Sequence, residues 1–154
     1  MNPRILVVDD EPNIIRSLAL TLGGEGFDVV GKGSGEEALV WLEREEPDAI
    51  FLDINLPGMD GLDVLRRVRE HRPELPVVMI SGHATVERAV EATRLGALDF
   101  VEKPFSRDRI LVLARNAAEV SRLRRENDTL RASGQPAIVG DSPPMVRLRE
   151  TLAQ

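Results

Sequence analysis

The sequence predicts an α/β fold: a doubly wound, five-stranded parallel sheet with helices on both faces and an extended C-terminal linker helix. Short apolar runs recur at residues 4–8, 27–31, 49–52, 76–81 and 98–102, and stretches of helical spacing separate them. Strict alternation of this kind is the pattern of right-handed β-α-β crossovers. The run at 49–52, Ala-Ile-Phe-Leu, is apolar on both faces, as a strand covered by helices on each side must be. Composition agrees, because 154 residues that are 42% hydrophobic and 30% charged can bury a core and suit one domain with something appended.

Each element has a local reason. The first strand, Arg4–Val8, ends in Asp9-Asp10-Glu11, and Pro12 then suits the first turn of a helix. Ile14, Ile15, Leu18 and Leu22 recur along that helix until Gly23-Gly24. After the second strand, Ser34 with Glu37 three residues on reads as a capping box opening a helix with Ala38, Leu39 and Leu42 inward. The central strand stops at Asp53, and Leu56-Pro57-Gly58-Met59 reads as a turn. A helix over 62–71 carries Leu62, Leu65 and Val68 on one side. The fourth strand ends in Ser81, followed by a helix over 85–95 that Gly96 terminates. The fifth closes at Lys103-Pro104, where Ser106 can cap the last helix. The flavodoxin-like order 2-1-3-4-5 brings the ends of the first, third, fourth and fifth strands to one crevice.

Those ends carry Asp9 and Asp10, Asp53, Ser81 and Lys103. Taken singly, each Asp or Ser suits a helix cap and the lysine a solvated loop. Converging carboxylates, however, repel one another unless compensated, and with oxygen ligands only the natural compensation is Mg²⁺. Other chemistries recede. There are no cysteines, which removes disulfides, thiolate metal sites and thiol nucleophiles. A net charge of −6 speaks against a broad nucleic-acid-binding face. No stretch has signal-peptide character or membrane-spanning length, so a soluble cytoplasmic protein with no membrane partner is expected.

Val7-Val8-Asp9-Asp10-Glu11, the stretch from Leu52-Asp53-Ile54-Asn55 to Asp60-Gly61, Ile80-Ser81-Gly82 and Lys103-Pro104-Phe105 together resemble the response-regulator receiver domain over about residues 4–120. The resemblance implies that Asp53 is the phosphoacceptor for a sensor histidine kinase. It implies that Asp10, Asp53 and the backbone carbonyl of Asn55 hold Mg²⁺, with Asp9 supporting. Lys103, Ser81 and Gly82 would contact the phosphoryl group, and Ser81 with Phe100 would form the switch. The Lys103-Pro104 bond is expected to be cis. Serine at 81 and phenylalanine at 100 stand where threonine and tyrosine are commoner in that family. Phosphoryl transfer asks chiefly for an in-line carboxylate and positive charge on the equatorial oxygens, which fits these roles.

Beyond the receiver, expected over 1–120, helical character continues over 106–131, about 39 Å at the standard rise. Leu113, Val120 and Asn127 fall at a positions of a heptad and Asn116, Leu123 and Leu130 at d, so a parallel dimer helix is expected. The competing reading is an amphipathic last helix packed on its own sheet with a solvated end. Residues 132–136 read as a linker. Residues 137–154 resemble the opening of the AAA+ domain of sigma-54-dependent activators of the NtrC family, and Met79–His83 and Phe100–Phe105 look most like its NtrX branch. No G-x-x-x-x-G-K-[ST] loop is present, so the ATPase and the DNA-binding domain are expected in other parts of a longer protein.

The receiver is thus expected to be a non-enzymatic phosphoacceptor that assists its own phosphorylation and dephosphorylation, controlling dimerisation and an adjoining ATPase in transcription regulation. The alternative is a Mg²⁺-dependent phosphatase with Asp53 as nucleophile. Asn55 stands where that enzyme would want a general acid, which favours a stable phosphoryl mark. A flavin module shares the strand order, but Asp9-Asp10-Glu11 would repel its phosphate.

Overall fold

The computed structural model describes residues 2–83 and 85–133, with residues 128–133 described by their backbone alone. The stub expected over 137–154, most of the 132–136 linker and the side chain of Leu130 lie outside the described residues. The chain divides into two compact units, Met1–Ser121 and Arg122–Gln154.

The chain alternates strand and helix as β1 (Arg4–Val8), α1 (Pro12–Gly23), β2 (Asp28–Lys32), α2 (Gly35–Leu42), β3 (Ala49–Asp53), α3 (Gly61–His71), β4 (Val77–Ser81), α4 (Val86–Arg94), β5 (Asp99–Glu102) and α5 (Arg107–Ser133), of which all but the residues of α5 after Ser121 belong to the first unit. The five strands pair in parallel in the order β2-β1-β3-β4-β5. β3 and β4 are buried at every residue and β1 at four of five, whereas the edge strand β2 has no buried residue and the edge strand β5 has Val101 alone. That contrast is why the central strands read as continuous apolar runs.

Successive residues of a strand face opposite sides. Leu6, Val8, Ile50, Leu52, Val77 and Met79 pack with α2 and α3 residues on one face. Ile5, Val7, Phe51, Val78 and Ile80 pack with Leu18 and Leu22 of α1 and Ile110, Ala114 and Ala117 of α5 on the other. Fully burying one such aliphatic side chain is worth about 1.5–3 kcal/mol.

Local differences from the sequence expectations are small and have causes. β2 begins at Asp28, because the Phe27 N–H closes the α1 turn on Leu22 O (3.1 Å) instead of joining the sheet. Only half of the capping box forms. The Glu37 N–H donates to Ser34 Oγ (3.1 Å), but the hydroxyl in turn meets the Glu37 carboxylate, which leaves the Ser34 N–H out of the motif. Gly96, at φ +92°, ends α4 as expected. Ser106 accepts the Arg109 N–H at 3.1 Å and opens α5. α5 runs on through Ala132 and Ser133, the first two residues of the expected linker.

In the second unit the described residues, 122–133, are helical, with an i,i+4 ion pair between Arg122 and Glu126.

Candidate functional site: an acidic crevice at the strand ends

The parallel order brings the ends of β1, β3, β4 and β5 together, and their side chains make one site. Asp9 is fully buried and Asp53 is 3% exposed, while Asp10 is exposed. One carboxylate oxygen from each of the three lies within 4.8 Å of the other two. Lys103, at the exit of β5, reaches into this cluster. Its Nζ stands 3.0 Å from Asp9 Oδ2, 3.3 Å from Asp53 Oδ2 and 3.8 Å from Glu11 Oε2. The Lys103 N–H donates to Ser81 O (2.7 Å), which fixes the lysine beside the end of β4, and the Lys103-Pro104 bond is cis.

Backbone donors aim the carboxylates. Asp53 Oδ1 accepts the Asn55 N–H at 3.0 Å, and Asp9 Oδ1 accepts the Glu11 N–H at 2.9 Å. The remaining oxygens point at Lys103. Burial pushes the Asp53 carboxyl above its ordinary range. Nearby Asp9 adds to the rise, and the Asn55 N–H and Lys103 offset it only in part. Burial alone would lower the Lys103 ammonium, but its hydrogen bond to Asp9 and the charges of Asp53 and Asp9 outweigh that and raise it. One ammonium thus faces two buried carboxylates and a third nearby, leaving the crevice short of positive charge.

A metal fits that deficit. Asp9 Oδ2 is buried, and its partner is the Lys103 ammonium, which it shares with Asp53 and Glu11. A buried carboxylate oxygen served by one shared cation costs free energy unless a further cation or donor meets it. The donor set is oxygen only, and Asp10 opens it to solvent, which suits a hard cation that keeps waters.

The other expected residues fall as follows. Ser81 is fully buried, and its Oγ accepts the His83 N–H at 3.1 Å. Gly82 adjoins Lys103, but a Cβ there would meet nothing nearer than Lys103 Cδ at 3.9 Å. Asn55 is exposed beside the acidic cluster. Phe100 is half-buried against the α2/α3-side core. Of the dimer positions, Leu113 is 2% exposed within its own domain's core, so it is not free to meet a partner. Asn116 and Asn127 are exposed, Val120 is half-buried and Leu123 is 54% exposed.

Two residues to which the sequence reading gave no role stand next to the site. Asp60 caps α3, accepting the Leu62 N–H, and Arg88 of α4 binds both Asp60 oxygens and the Ile54 carbonyl. Nothing in the sequence marks Arg88, which reads as an ordinary helix-surface arginine.

The five-stranded doubly wound sheet thus carries a buried, lysine-paired aspartate at the end of its central strand. The chain belongs to the response regulator receiver domain family, whose pattern matches residues 5–115. It is 44% identical over 151 residues to the nitrogen assimilation regulatory protein NtrX of Azorhizobium caulinodans, covering 96% of this chain and 33% of that protein. The C4-dicarboxylate transport transcriptional regulatory protein DctD of Rhizobium meliloti is 37% identical, over 97% of this chain and 34% of its own length. Among solved structures, NtrX of Brucella abortus in complex with ADP matches with a TM-score of 0.78 and 46% identity, over 87% of this chain and 31% of that one. The chain therefore spans about a third of the length of these relatives. No described helix is long and apolar enough to cross a membrane.

Proposed function

We propose that Asp53 takes a phosphoryl group from the phosphohistidine of a sensor kinase, and that this mark regulates an adjoining sigma-54-activator ATPase through α5. The observation that carries the reading is the buried Asp53 carboxylate held between the Asn55 N–H and the Lys103 ammonium. In the reaction an Asp53 oxygen forms a bond to phosphorus. The phosphorus–nitrogen bond of the donor breaks, and its electron pair stays on the imidazole. Asp53 must be ionised to attack, and Lys103 stands ready to follow the charge onto the phosphoryl oxygens. Asp10, Asp53 and the Asn55 carbonyl, with Asp9 in support, would hold Mg²⁺, which supplies positive charge to the same oxygens. Ser81 and Gly82 border the space the group would enter, and a move of Ser81 toward it would change the packing open to Phe100. Val120, Leu123, Asn127 and Leu130 remain the residues proposed for a dimer helix, without Leu113.

Intact mass after incubation with Mg²⁺ and acetyl phosphate tests the assignment. The expected result is one labile phosphoryl adduct that Asp53→Asn abolishes. An adduct retained in that variant would put the acceptor elsewhere.

A further inference from the structure

A peptide unit is planar, so its C=O and N–H point to opposite edges of one rigid plane. In the Ile54–Asn55 unit, the N–H is the donor that meets Asp53 Oδ1 at 3.0 Å. The opposite edge is gripped twice. Ile54 O accepts the Gly61 N–H at 3.1 Å and Arg88 Nη2 at 2.9 Å. The same Nη2 reaches Asp60 Oδ1 at 2.8 Å and Oδ2 at 2.7 Å. Asp60 is itself pinned as the N-cap of α3. Gly61 permits the close approach, since a Cβ there would stand 2.1 Å from Asp53 O and 2.6 Å from Ile54 Cα. Arg88 lies in the first turn of α4, whose own N-cap Thr85 accepts the Arg88 N–H at 3.2 Å. One arginine therefore connects the start of α4, the start of α3 and the peptide that aims a donor at Asp53.

We infer that Arg88 is a positioning residue for phosphoryl acceptance: it fixes the Ile54–Asn55 peptide plane, holds the Asn55 N–H on the acceptor carboxylate, and ties the pose of α4 to that of the acceptor loop. The inference rests on the proposed role of Asp53. Arg88 touches none of the reacting atoms. With acetyl phosphate as donor, an Asp53 oxygen bonds phosphorus and acetate leaves with the electron pair of the broken phosphorus–oxygen bond. Arg88 acts on the far side of the peptide, where a cation on the carbonyl oxygen also polarises the unit and strengthens its N–H as a donor. All three side-chain contacts run through the one Nη2, so a lysine ammonium can supply the charge and the donors, but from a shorter stem, and it should restore only part of the effect. Because the tie is mechanical, it runs both ways: what displaces α4 also loosens the donor on Asp53.

The test combines labelling by acetyl phosphate at saturating Mg²⁺ with amide hydrogen exchange read by NMR, on the whole chain and its Arg88→Ala and Arg88→Lys variants. Arg88→Ala should slow adduct formation roughly three- to tenfold and speed exchange at Asn55 by at least as much, with the amides of Leu6 and Phe51 unchanged. Arg88→Lys should recover part of both. Unchanged labelling and Asn55 exchange in Arg88→Ala would overturn the inference. So would a loss of labelling matched by faster exchange throughout the sheet, since that is what a purely structural role gives. If Arg88→Ala does not fold, Asp60→Asn removes the charge that anchors the guanidinium while keeping an oxygen to cap α3, and is read by the same criteria. A wild-type chain that takes no adduct would defeat the phosphoacceptor reading, and the Asn55 exchange would still decide whether Arg88 fixes that peptide.

Discussion

Two neighbouring helices, α3 and α4, are held by different forces. α3 buries Gly61, Leu62, Val64, Leu65 and Val68. α4 buries only Ala92, and it leaves Val86 80% and Val90 45% exposed. What α4 has instead is polar: Arg88 on Asp60 and Ile54, and Glu91 on Arg66 at 3.3 Å. Apolar burial is indifferent to charge and hard to reverse locally, whereas partly exposed ion pairs are weak and respond to nearby charge. α3 is therefore a fixed wall, and α4 is the helix poised to respond to a change in nearby charge. Elements with few buried apolar contacts are also the ones that open first.

The largest expected effect tests the wall. Leu65 is fully buried, and Leu65→Ala should destabilise the chain by about 2–5 kcal/mol. Val90→Ala, on the exposed side of α4, should cost less than about 0.5 kcal/mol. Urea unfolding of both variants measures the difference. Similar losses for the two would mean that α4 is anchored by packing after all, and the contrast would fall.

A second expectation concerns the charge itself. The folded state holds the Asp53 proton more tightly than the unfolded chain does, because burial raises the carboxyl. As pH rises from the ordinary carboxylate range through the raised value, the folded state binds more protons than the unfolded one, so stability falls across that window. Removing the carboxyl should remove the penalty. Asp53→Asn should therefore be more stable than wild type at neutral pH, and the two should converge once pH drops below the ordinary carboxylate range. Mg²⁺ should stabilise wild type more than the variant, by occupying the oxygens that repel one another. Thermal unfolding across pH, with and without Mg²⁺, checks both signs. A variant less stable than wild type at neutral pH would show that Lys103 outweighs burial at Asp53.

Much of this was legible before the structure. Strand ends announce themselves when an apolar run stops at Asp9, Asp53 or Ser81, and the parallel order then brings those residues together by topology alone. The capping roles of Ser34 and Ser106 are local and follow from residue type. What could not be read is the set of contacts that depends on how a helix docks. Arg88 finds Asp60 across 28 residues, and only the placement of α4 decides whether its guanidinium meets a carboxylate or water. Leu113 illustrates the same limit from the other side. A heptad assigns it to a partner, but its neighbours Ala114 and Ala117 turn it into the core, and helical phase alone does not say which seam wins. Gly61 is a third case: spacing gave it no role, yet a Cβ there would stand 2.1 Å from Asp53 O.

The smallest expected effect sharpens the comparison most. Arg66 and Glu91 are 48% and 37% exposed as side chains, so their ion pair is open to solvent and should contribute no more than about 1 kcal/mol. Glu91→Gln should accordingly leave global unfolding nearly unchanged. If polar contacts set the pose of α4, however, the change should be felt locally: amide exchange along Val86–Arg94 should quicken about two- to fivefold while α3 stays protected. Raising salt on the wild-type chain should reproduce part of that local change, because exposed pairs are screened within about 10 Å at 0.1 M ionic strength. In Glu91→Gln the salt response should shrink, leaving only the share that belongs to Arg88 and Asp60. If α4 exchanges at the same rate in wild type, in the variant and in high salt, then Ala92 and the half-buried Leu95 hold the helix by themselves, and the poise attributed to α4 belongs elsewhere in the domain.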